Sequence, residues 1–402
     1  MVNQNCNNKN LSPMAQDKQK MPTMPTKPGT NGRSQPTKPG TNGNNDMQTC
    51  QRNPEPMAAK VTETIRKFRL IEPGDKLVLG VSGGPDSIAM LNVLIEICQR
   101  CQRNPEPMAG ASQRNPEPLA LAVAHINHMI REEANDDEEF VRSFCKEKNI
   151  EFYSKRINVQ DLANTMKIGT EEAGRIARYD FFSEVLIKTN ANKIAIAHNK
   201  NDKIETMIMN MLRGSGVNGL KGIEPKRGIY IRPLIECNRT EIEQYCEKHS
   251  LNPRIDKTNF ENDYTRNKIR NIVIPYVKQE FNPNIIETLD RLSELLTDVD
   301  EYVEKQVQNE YKNLLIEENI EGNHKEIVLN LKQFNNQEKV IKSRLVLYTI
   351  TRLFGSAKGI EKKHIEDIIK LCSNNIGNKY LTPNKNIKIL VKNHKIYFTK
   401  QS

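Results

Sequence analysis

The spacing of apolar residues along the chain predicts strands and helices in alternation. Short apolar runs of strand length, each followed by turn residues, occur at residues 76–81, 119–126, 151–157 and 193–198. Apolar positions at helical spacing follow these runs, at residues 88–97, 134–148, 170–190 and 202–212. Because strands that alternate with helices form a parallel sheet with both faces covered, we predict an α/β fold with a doubly wound, mostly parallel sheet.

From Arg239 onward the pattern becomes mostly helical. It predicts a long helical arm at about residues 285–315, helices at 337–354 and 362–371, and a terminal hairpin that turns at 392–394. We therefore expect three parts after the N-terminal extension: an α/β domain at residues 57–280, a helical arm at 281–320 and a small α+β C-terminal domain at 321–402.

Short repeats interrupt the pattern twice. PTKPGTNG occurs at residues 25–32 and 36–43, and QRNPEPMA or QRNPEPLA occurs at 51–58, 102–109 and 113–120. Solenoid repeats carry an apolar face that stacks on its neighbours, and these units have none. We therefore predict that residues 1–56 are disordered and that 99–118 form a surface loop, with a functional lid as the alternative for the loop.

The stretch with the clearest chemistry is SGGPDS, which follows the first predicted strand. A strand, a glycine turn and a helix N-terminus together bind phosphate, because the free amides and the positive end of the helix dipole face the anion. Ser82 and Ser87 can donate hydroxyl groups, and Asp86 can hold a magnesium ion. The candidate nucleotide-binding residues are Ser82, Gly83, Gly84, Pro85, Asp86 and Ser87. The alternative is a plain turn in which Asp86 or Ser87 caps the helix.

A second polar cluster follows the fourth predicted strand. Asp202 and Glu205 share one helix face there, either as magnesium ligands or as a capping pair. The same helix ends in Arg213 and a glycine turn, which suits phosphate but also suits an ordinary helix C-cap.

Two basic stretches add candidates for anion binding. Arg175 and Arg178 lie one helical turn apart, although Arg175 could simply pair with Glu171. Residues 256–270 interleave basic and aromatic side chains, which suits RNA phosphates and base stacking, whereas a solvated helix face is the alternative. The candidate RNA-binding residues are Arg213, Tyr264, Arg266, Lys268 and Arg270.

Charge and composition agree with such a partner. The 402 residues carry a formal net charge of +10, which favours an anionic partner such as nucleic acid. No apolar run approaches the roughly 20 residues that span a bilayer, and the N-terminus has no apolar signal core. Eight irregularly spaced cysteines argue against a disulfide framework and favour a reducing cytoplasm, and the CxxC of Cys98 and Cys101 borders repeated sequence.

SGGPDS after an apolar strand resembles the pyrophosphate loop of the ATP-pyrophosphatase superfamily. Together with the later motifs, the chain resembles the tRNA(Ile)-lysidine synthase family over residues 60–276. The motifs that carry the resemblance are AHINH with REEAN at 124–135, EEAGRIARY at 171–179, AHNKNDKIETMIMNMLRGSG at 197–216, RPLIE at 232–236 and DKTN…YTRNKIR at 256–270.

The resemblance implies an adenine-nucleotide α-hydrolase-like fold and an enzyme that uses ATP and Mg²⁺. Such an enzyme adenylates the wobble cytidine of an isoleucine tRNA with a CAU anticodon, and the ε-amino group of free lysine then displaces AMP. Asp86 and Asp202 would hold magnesium, with a lysine-ammonium contact as the alternative for Asp202, and Arg175 and Arg178 would steady phosphate or the target base. These four residues are the predicted catalytic set.

Some features depart from the family pattern. Asn201 stands where the family usually has a first aspartate, and one small C-terminal domain stands where many relatives carry a further one. Two other functions stay open: a tRNA thiolation enzyme of the same superfamily, and a non-catalytic RNA-binding relative. The sequence also leaves the oligomeric state open, with a homodimer as one option.

Overall fold

The computed structural model describes residues 55–103, 119–129, 133–254, 265–322, 325–374 and 379–400, all within the unit Asn53–Ser402. The predicted disordered extension lies outside the described residues except for Glu55 and Pro56, and so does Tyr264. The predicted loop at 99–118 is partly corrected, because the helix that follows the SGGPDS loop continues to Arg103. No helix in the described ranges is long and apolar enough to cross a bilayer.

Regular elements occupy most of the described chain. The strands are β1 (Lys76–Gly80), β2 (Ala120–Asn127), β3 (Glu151–Arg156), β4 (Lys193–Ile196), β5 (Lys226–Arg227), β6 (Tyr230–Ile231), β7 (Leu315–Asn319), β8 (Glu326–Asn330), β9 (Lys379–Asn384), β10 (Ile387–Lys392) and β11 (Lys395–Lys400). The helices are α1 (Pro56–Lys67), α2 (Pro85–Arg103), α3 (Ala134–Glu147), α4 (Val159–Met166), α5 (Thr170–Lys188), α6 (Lys200–Leu212), α7 (Val217–Leu220), α8 (Arg239–Lys248), α9 (Thr265–Lys268), α10 (Ile274–Glu280), α11 (Ile285–Leu314), α12 (Leu331–Asn335), α13 (Lys339–Phe354) and α14 (Lys362–Ser373). A π-helical turn, Ile269–Val273, joins α9 to α10.

The first sheet has the strand order β3-β2-β1-β4-β6-β5, and every pairing in it is parallel except that of β5 with β6. The predicted parallel sheet and fold class are therefore confirmed. The chain runs outward from β1 to β3 and then returns to the other side of β1 with β4. This reversal makes a topological switch point between β1 and β4, where α/β folds bind ligands at the carboxyl ends of the strands.

Alternate residues of β1 explain why both faces of the sheet are covered. Leu77 and Leu79 are buried in one core, which also contains the buried residues of α1, α2 and α8. Val78, between them, is buried in a second core with Phe181 and Phe182 of α5. Side chains that point to opposite faces along a strand thus meet helices on both sides, as the continuous apolar run predicts.

The C-terminal region forms a second, antiparallel sheet with the order β7-β8-β11-β10-β9. The predicted terminal hairpin is present as β10 and β11, and the predicted arm is the 30-residue helix α11. The predicted boundary at residue 321 is corrected, because β7 already belongs to this sheet. Tyr311 and Leu314, at the end of α11, also lie in the core of this sheet.

Two helix starts add detail to the sequence prediction. Helix α5 begins at Thr170, as its apolar spacing predicts, and Gly169 is its N-cap. Helix α4 was not predicted, and its N-cap is Asn158, whose side chain accepts hydrogen bonds from the amides of Gln160 and Asp161.

We expect Gly80→Ala to destabilise the protein by about 1–3 kcal/mol, because overpacking a tight core forces neighbours to move. A Cβ at Gly80 would lie 2.8 Å from Cε2 of Phe182. The matched control is Gly169→Ala, where a Cβ would meet nothing within 4 Å. Urea unfolding of both variants measures the difference, and equal midpoints would contradict this account of the β1–α5 contact.

Candidate active site

The loop between β1 and α2 is held together by one buried hydroxyl group. Ser87 Oγ accepts hydrogen bonds from the amides of Ser82 and Gly83, both at 3.2 Å, and donates one to the carbonyl of Gly84 at 2.9 Å. Gly83 has φ of 93°, which favours glycine. The hydroxyl of Ser87 is thus committed to the loop, whereas Ser82 is exposed, with its own hydroxyl 3.3 Å from that of Ser87.

Asp86 lies in the first turn of α2, at the switch point. Its Oδ1 accepts a hydrogen bond from Nδ2 of Asn199 at 2.9 Å, which joins the loop to the start of α6. Burial, and next the nearby charge of Asp202, raises the pKa of Asp86 to about 6. Asp86 forms no salt bridge with any residue that the structure describes.

The N-terminus of α6 is capped one turn earlier than predicted. Asn199 is the N-cap, its Oδ1 accepts from the amide of Asp202 at 3.0 Å, and Oδ2 of Asp202 accepts from the amide of Asn199 at 3.1 Å. The predicted pair of Asp202 with Glu205 is therefore not the capping box. Glu205 instead pairs with two arginines, Arg266 and Arg270.

Two carboxylates of α6 form a cluster with two arginines of the segment that begins at α9. Asp202 Oδ1 accepts from Arg266 and Arg270, both at 2.9 Å. Glu205, which is 2% exposed, accepts from Arg266 at 2.9 Å and from Arg270 at 2.6 and 2.8 Å. Burial opposes ionisation of Asp202, but the two guanidinium groups hold its pKa below the ordinary value. We call these four residues the charge cluster.

The contacts of the charge cluster bear on the predicted RNA-binding residues. Arg266 and Arg270 point their guanidinium groups at carboxylates, so they are not a free basic face, and their predicted contact with RNA has no support in these contacts. Lys268, between them, is exposed. Arg213 is exposed and is the C-cap of α6, followed by Gly214 with φ of 73°, so the turn is a helix C-cap.

The two predicted arginines of α5 differ in their surroundings. Arg175 is exposed, lies 4.0 Å from Glu172 rather than pairing with Glu171, and lies 5.5 Å from the ring of Tyr179. Arg178 has no salt bridge among the described residues. Arg178 is exposed, and desolvation together with the positive charges of Arg175 and Arg266 lowers its pKa. An arginine without a salt-bridge partner is suited to an anionic ligand.

Three histidines at the carboxyl ends of the strands were not in the predicted site. His125 Nδ1 donates to the carbonyl of Val81 at 2.9 Å, and His198 Nδ1 accepts from Nε of Arg232 at 3.2 Å. Burial lowers the pKa of His128 to about 4 and that of His198 to about 4, so both are neutral at physiological pH. The motifs AHINH and AHNKND contain these histidines, but their spacing does not predict that they are neutral.

Buried polar atoms without partners mark the same region. His125 Nε2 and His128 Nδ1 are buried and make no hydrogen bond with the described residues. Buried acceptors of this kind are rare and call for an explanation, such as a ligand or a water molecule. His128 lies against α5, since a Cβ on Gly174 would be 3.7 Å from its Cε1.

The donor set tests whether a divalent cation fits. Asp86 fits, because it is a largely buried carboxylate without a cationic partner, and hard cations prefer carboxylate oxygens. Asp202 does not fit well, because both of its oxygens already accept hydrogen bonds. Among the described residues, no three histidine, cysteine or carboxylate side chains are grouped so as to hold a metal. The remaining ligands would have to come from water or from phosphate oxygens.

Comparisons with known proteins identify the region that carries this site. A family model described as "PP-loop domain" matches residues 54–277. A tRNA(Ile)-lysidine synthase of Clostridium acetobutylicum is 42% identical over 330 residues, which is 82% of this chain and 67% of that protein. Another from Clostridioides difficile is 40% identical over 347 residues, which is 85% of this chain and 70% of that protein.

The first four curated relatives extend beyond the matched region, since the chain spans between 63 and 70% of their lengths. Among solved structures, a U34-tRNA thiolase from Methanococcus maripaludis has a TM-score of 0.47 and 21% identity, over 60% of this chain and 78% of that one.

We expect Asp86→Asn to stabilise the ligand-free protein at neutral pH. The pKa of about 6 in the folded state lies above the ordinary 3.8, so the stability that this group contributes is full below about pH 4 and is lost as the pH rises through about 6. A shift of this size corresponds to about 3 kcal/mol at most. Asparagine keeps the shape without the charge.

Urea unfolding at about pH 4 and about pH 7.5 tests this expectation. The Asp86→Asn midpoint should exceed that of the unsubstituted protein at the higher pH and match it at the lower one. Asp180→Asn, at an exposed position of α5, is the control and should change neither. A variant that is less stable at both pH values would show that the charge of the Asp86 carboxylate does not destabilise the folded protein.

Proposed function

The chain belongs to the tRNA(Ile)-lysidine synthase family, as its motifs predicted, and from this premise we propose how its own residues serve the reaction. As a member it is an ATP-using ligase that forms lysidine on tRNA. The proposal is that it adenylates the wobble cytidine of an isoleucine tRNA with a CAU anticodon and that free lysine then displaces AMP.

One observation carries the proposal for this chain. The SGGPDS loop and the start of α6 meet at the switch point, where Asn199 bonds Asp86. A glycine loop at a helix N-terminus binds phosphate, and the switch point is where a nucleotide fits the sheet. This contact supports the proposal that ATP binds between the SGGPDS loop and the start of α6.

The loop residues would hold the leaving pyrophosphate. Ser82 is exposed and would contact the phosphate, while Ser87 keeps the loop in shape. Asp86 would hold Mg²⁺, which when bound neutralises the charge that develops on the departing pyrophosphate. Because Asp86 has no cationic partner of its own, it adds negative charge to an anion site unless such a cation is present.

Arg178 and Arg175 would bind the phosphate or the target base. Arg178 is a cation without a counter-charge, so it can contact a phosphate or the adenylated base without breaking an existing ion pair. Asp202 remains our candidate for the lysine ammonium, although that contact requires at least one guanidinium of the charge cluster to move.

The substrates, the cellular location and the oligomeric state are proposals as well. We propose free lysine and tRNA as the substrates and the cytoplasm as the location. Cys145, Cys237, Cys246 and Cys372 support this location, because they are buried and form no disulfide. A homodimer is compatible with these features.

The test of the function is its dependence on substrates. Purified protein should release AMP only when lysine and tRNA are both present, because adenylation with tRNA alone releases pyrophosphate but leaves AMP on the base. A thiolation enzyme would release AMP without lysine, and a non-catalytic relative would bind RNA without using ATP. Either result would overturn the proposal.

We expect Asp86→Asn to lower the rate of pyrophosphate release, with tRNA and lysine present, by about two orders of magnitude or more. If Asp86 only capped a helix, the change would be nearly silent, since asparagine caps about as well as aspartate. Asp180→Asn is again the control, and a melting curve shows that the variant is folded. An active Asp86→Asn enzyme would mean that the cation is held elsewhere.

A further inference from the structure

The segment that follows the charge cluster has two different faces. On the inner face, Arg266 and Arg270 pair with carboxylates, and Ile269 and Ile274 are buried against α6 and α11. Other side chains of the segment are exposed to solvent. Among them, we call Lys268, Ile272, Tyr276, Lys278 and Phe281 the stacking face.

The stacking face is unusually apolar for an exposed surface. Ile272 is 53% exposed, Tyr276 60% and Phe281 74%. The rings of Tyr276 and Phe281 contact each other edge to face, with centroids 5.9 Å apart. Single exposed apolar residues are ordinary, but two rings in contact, beside a third apolar side chain on the same face, are typical of an interaction site.

The charge of the segment indicates the kind of partner. Residues 265–281 contain four basic residues and a single acidic one, Glu280. The charge cluster already neutralises Arg266 and Arg270, so the lysines of the stacking face supply the outward positive charge. Aromatic rings with lysines beside them suit single-stranded RNA, whose bases stack on the rings and whose phosphates attract the lysines.

The position of the stacking face fits a substrate that reaches the site. Tyr276 lies six residues beyond Arg270 along the segment, which is about 9 Å at 1.5 Å per residue. At about 3.4 Å per stacked nucleotide, this corresponds to two or three nucleotides. Nucleotides that flank a base bound next to the charge cluster would therefore reach Tyr276 and Phe281.

We propose that the stacking face binds unpaired nucleotides of the substrate RNA next to the base that enters the site. The inference rests on the proposed function, because it takes the substrate to be an RNA loop. Tyr276 and Phe281 stack on the bases, Ile272 extends the apolar surface, and Lys268 and Lys278 contact the phosphates. It also reassigns the RNA contact of this segment from its arginines to its outer face.

The experiment measures binding of the full chain to a fluorescent stem-loop RNA with CAU in its loop, without ATP or lysine. The double variant Tyr276→Ala with Phe281→Ala should raise the Kd about tenfold or more, since each stacked base contributes substantially to affinity. The matched control is Tyr302→Ala on α11, whose side chain is 64% exposed, and it should leave the Kd unchanged.

Further arms separate stacking from general effects. Tyr276→Phe should retain binding, because the ring remains. A paired RNA duplex without the loop should bind the double variant and the unsubstituted protein equally. Lys268→Ala with Lys278→Ala should reduce the dependence of Kd on salt, because fewer counterions are released. If the double variant fails to fold, Phe281→Ala alone makes the same comparison.

Each contrary outcome has a distinct meaning. An unsubstituted protein that does not bind the stem-loop overturns both this inference and the proposed function. Binding that the double variant leaves unchanged, or that Tyr302→Ala weakens equally, overturns this inference alone. If sedimentation shows that the double variant converts a dimer to monomers, the face is a contact between copies of the chain and the inference is wrong.

Discussion

The ion pairs among Asp202, Glu205, Arg266 and Arg270 tie the segment after residue 264 to the helix that follows β4. Removing one partner of a buried pair leaves an uncompensated charge and typically costs about 3–5 kcal/mol. The four side chains are therefore stable only as a complete set, in a single geometry. That geometry decides which face of the segment meets the site and which face meets solvent.

The same pairing explains the state of Asp86. Two carboxylates and two guanidinium groups balance within the charge cluster, so little positive charge is left for the carboxylate one loop away. Asp86 is half-buried, and desolvation and the nearby charge of Asp202 raise its pKa, while its direct partner, the amide of Asn199, opposes that shift. A polyphosphate would be repelled by this carboxylate alone, so a nucleotide and a cation would have to bind there together.

The alternation of strands and helices, the glycine loop after β1 and the long helix α11 could be predicted from the sequence, because each depends on residues close together in the chain. The partners of Arg266 and Arg270 could not. An i, i+4 pair of arginines is typical of a solvated basic helix, and Asp202 with Glu205 is typical of a helix cap. Neither pattern predicts that α6 and α9 are in contact. The capping role of Asn199 was missed because Asp202 offered an equally good local explanation.

The distribution of buried charge links the fold to its partner. The described residues include five buried carboxylates, Asp75, Glu138, Asp202, Glu205 and Asp300, but only two buried basic residues, Lys193 and Arg232. Asp300 of α11, for example, pairs with Lys221 after α7 and with Arg344 of α13, and so orients the C-terminal sheet on the catalytic domain. Acidic groups are thus used inside the protein for positioning, whereas most lysines and arginines stay at the surface. A chain of net charge +10 that buries its acids presents a surface more basic than its composition suggests, and such a surface attracts RNA before any specific contact forms.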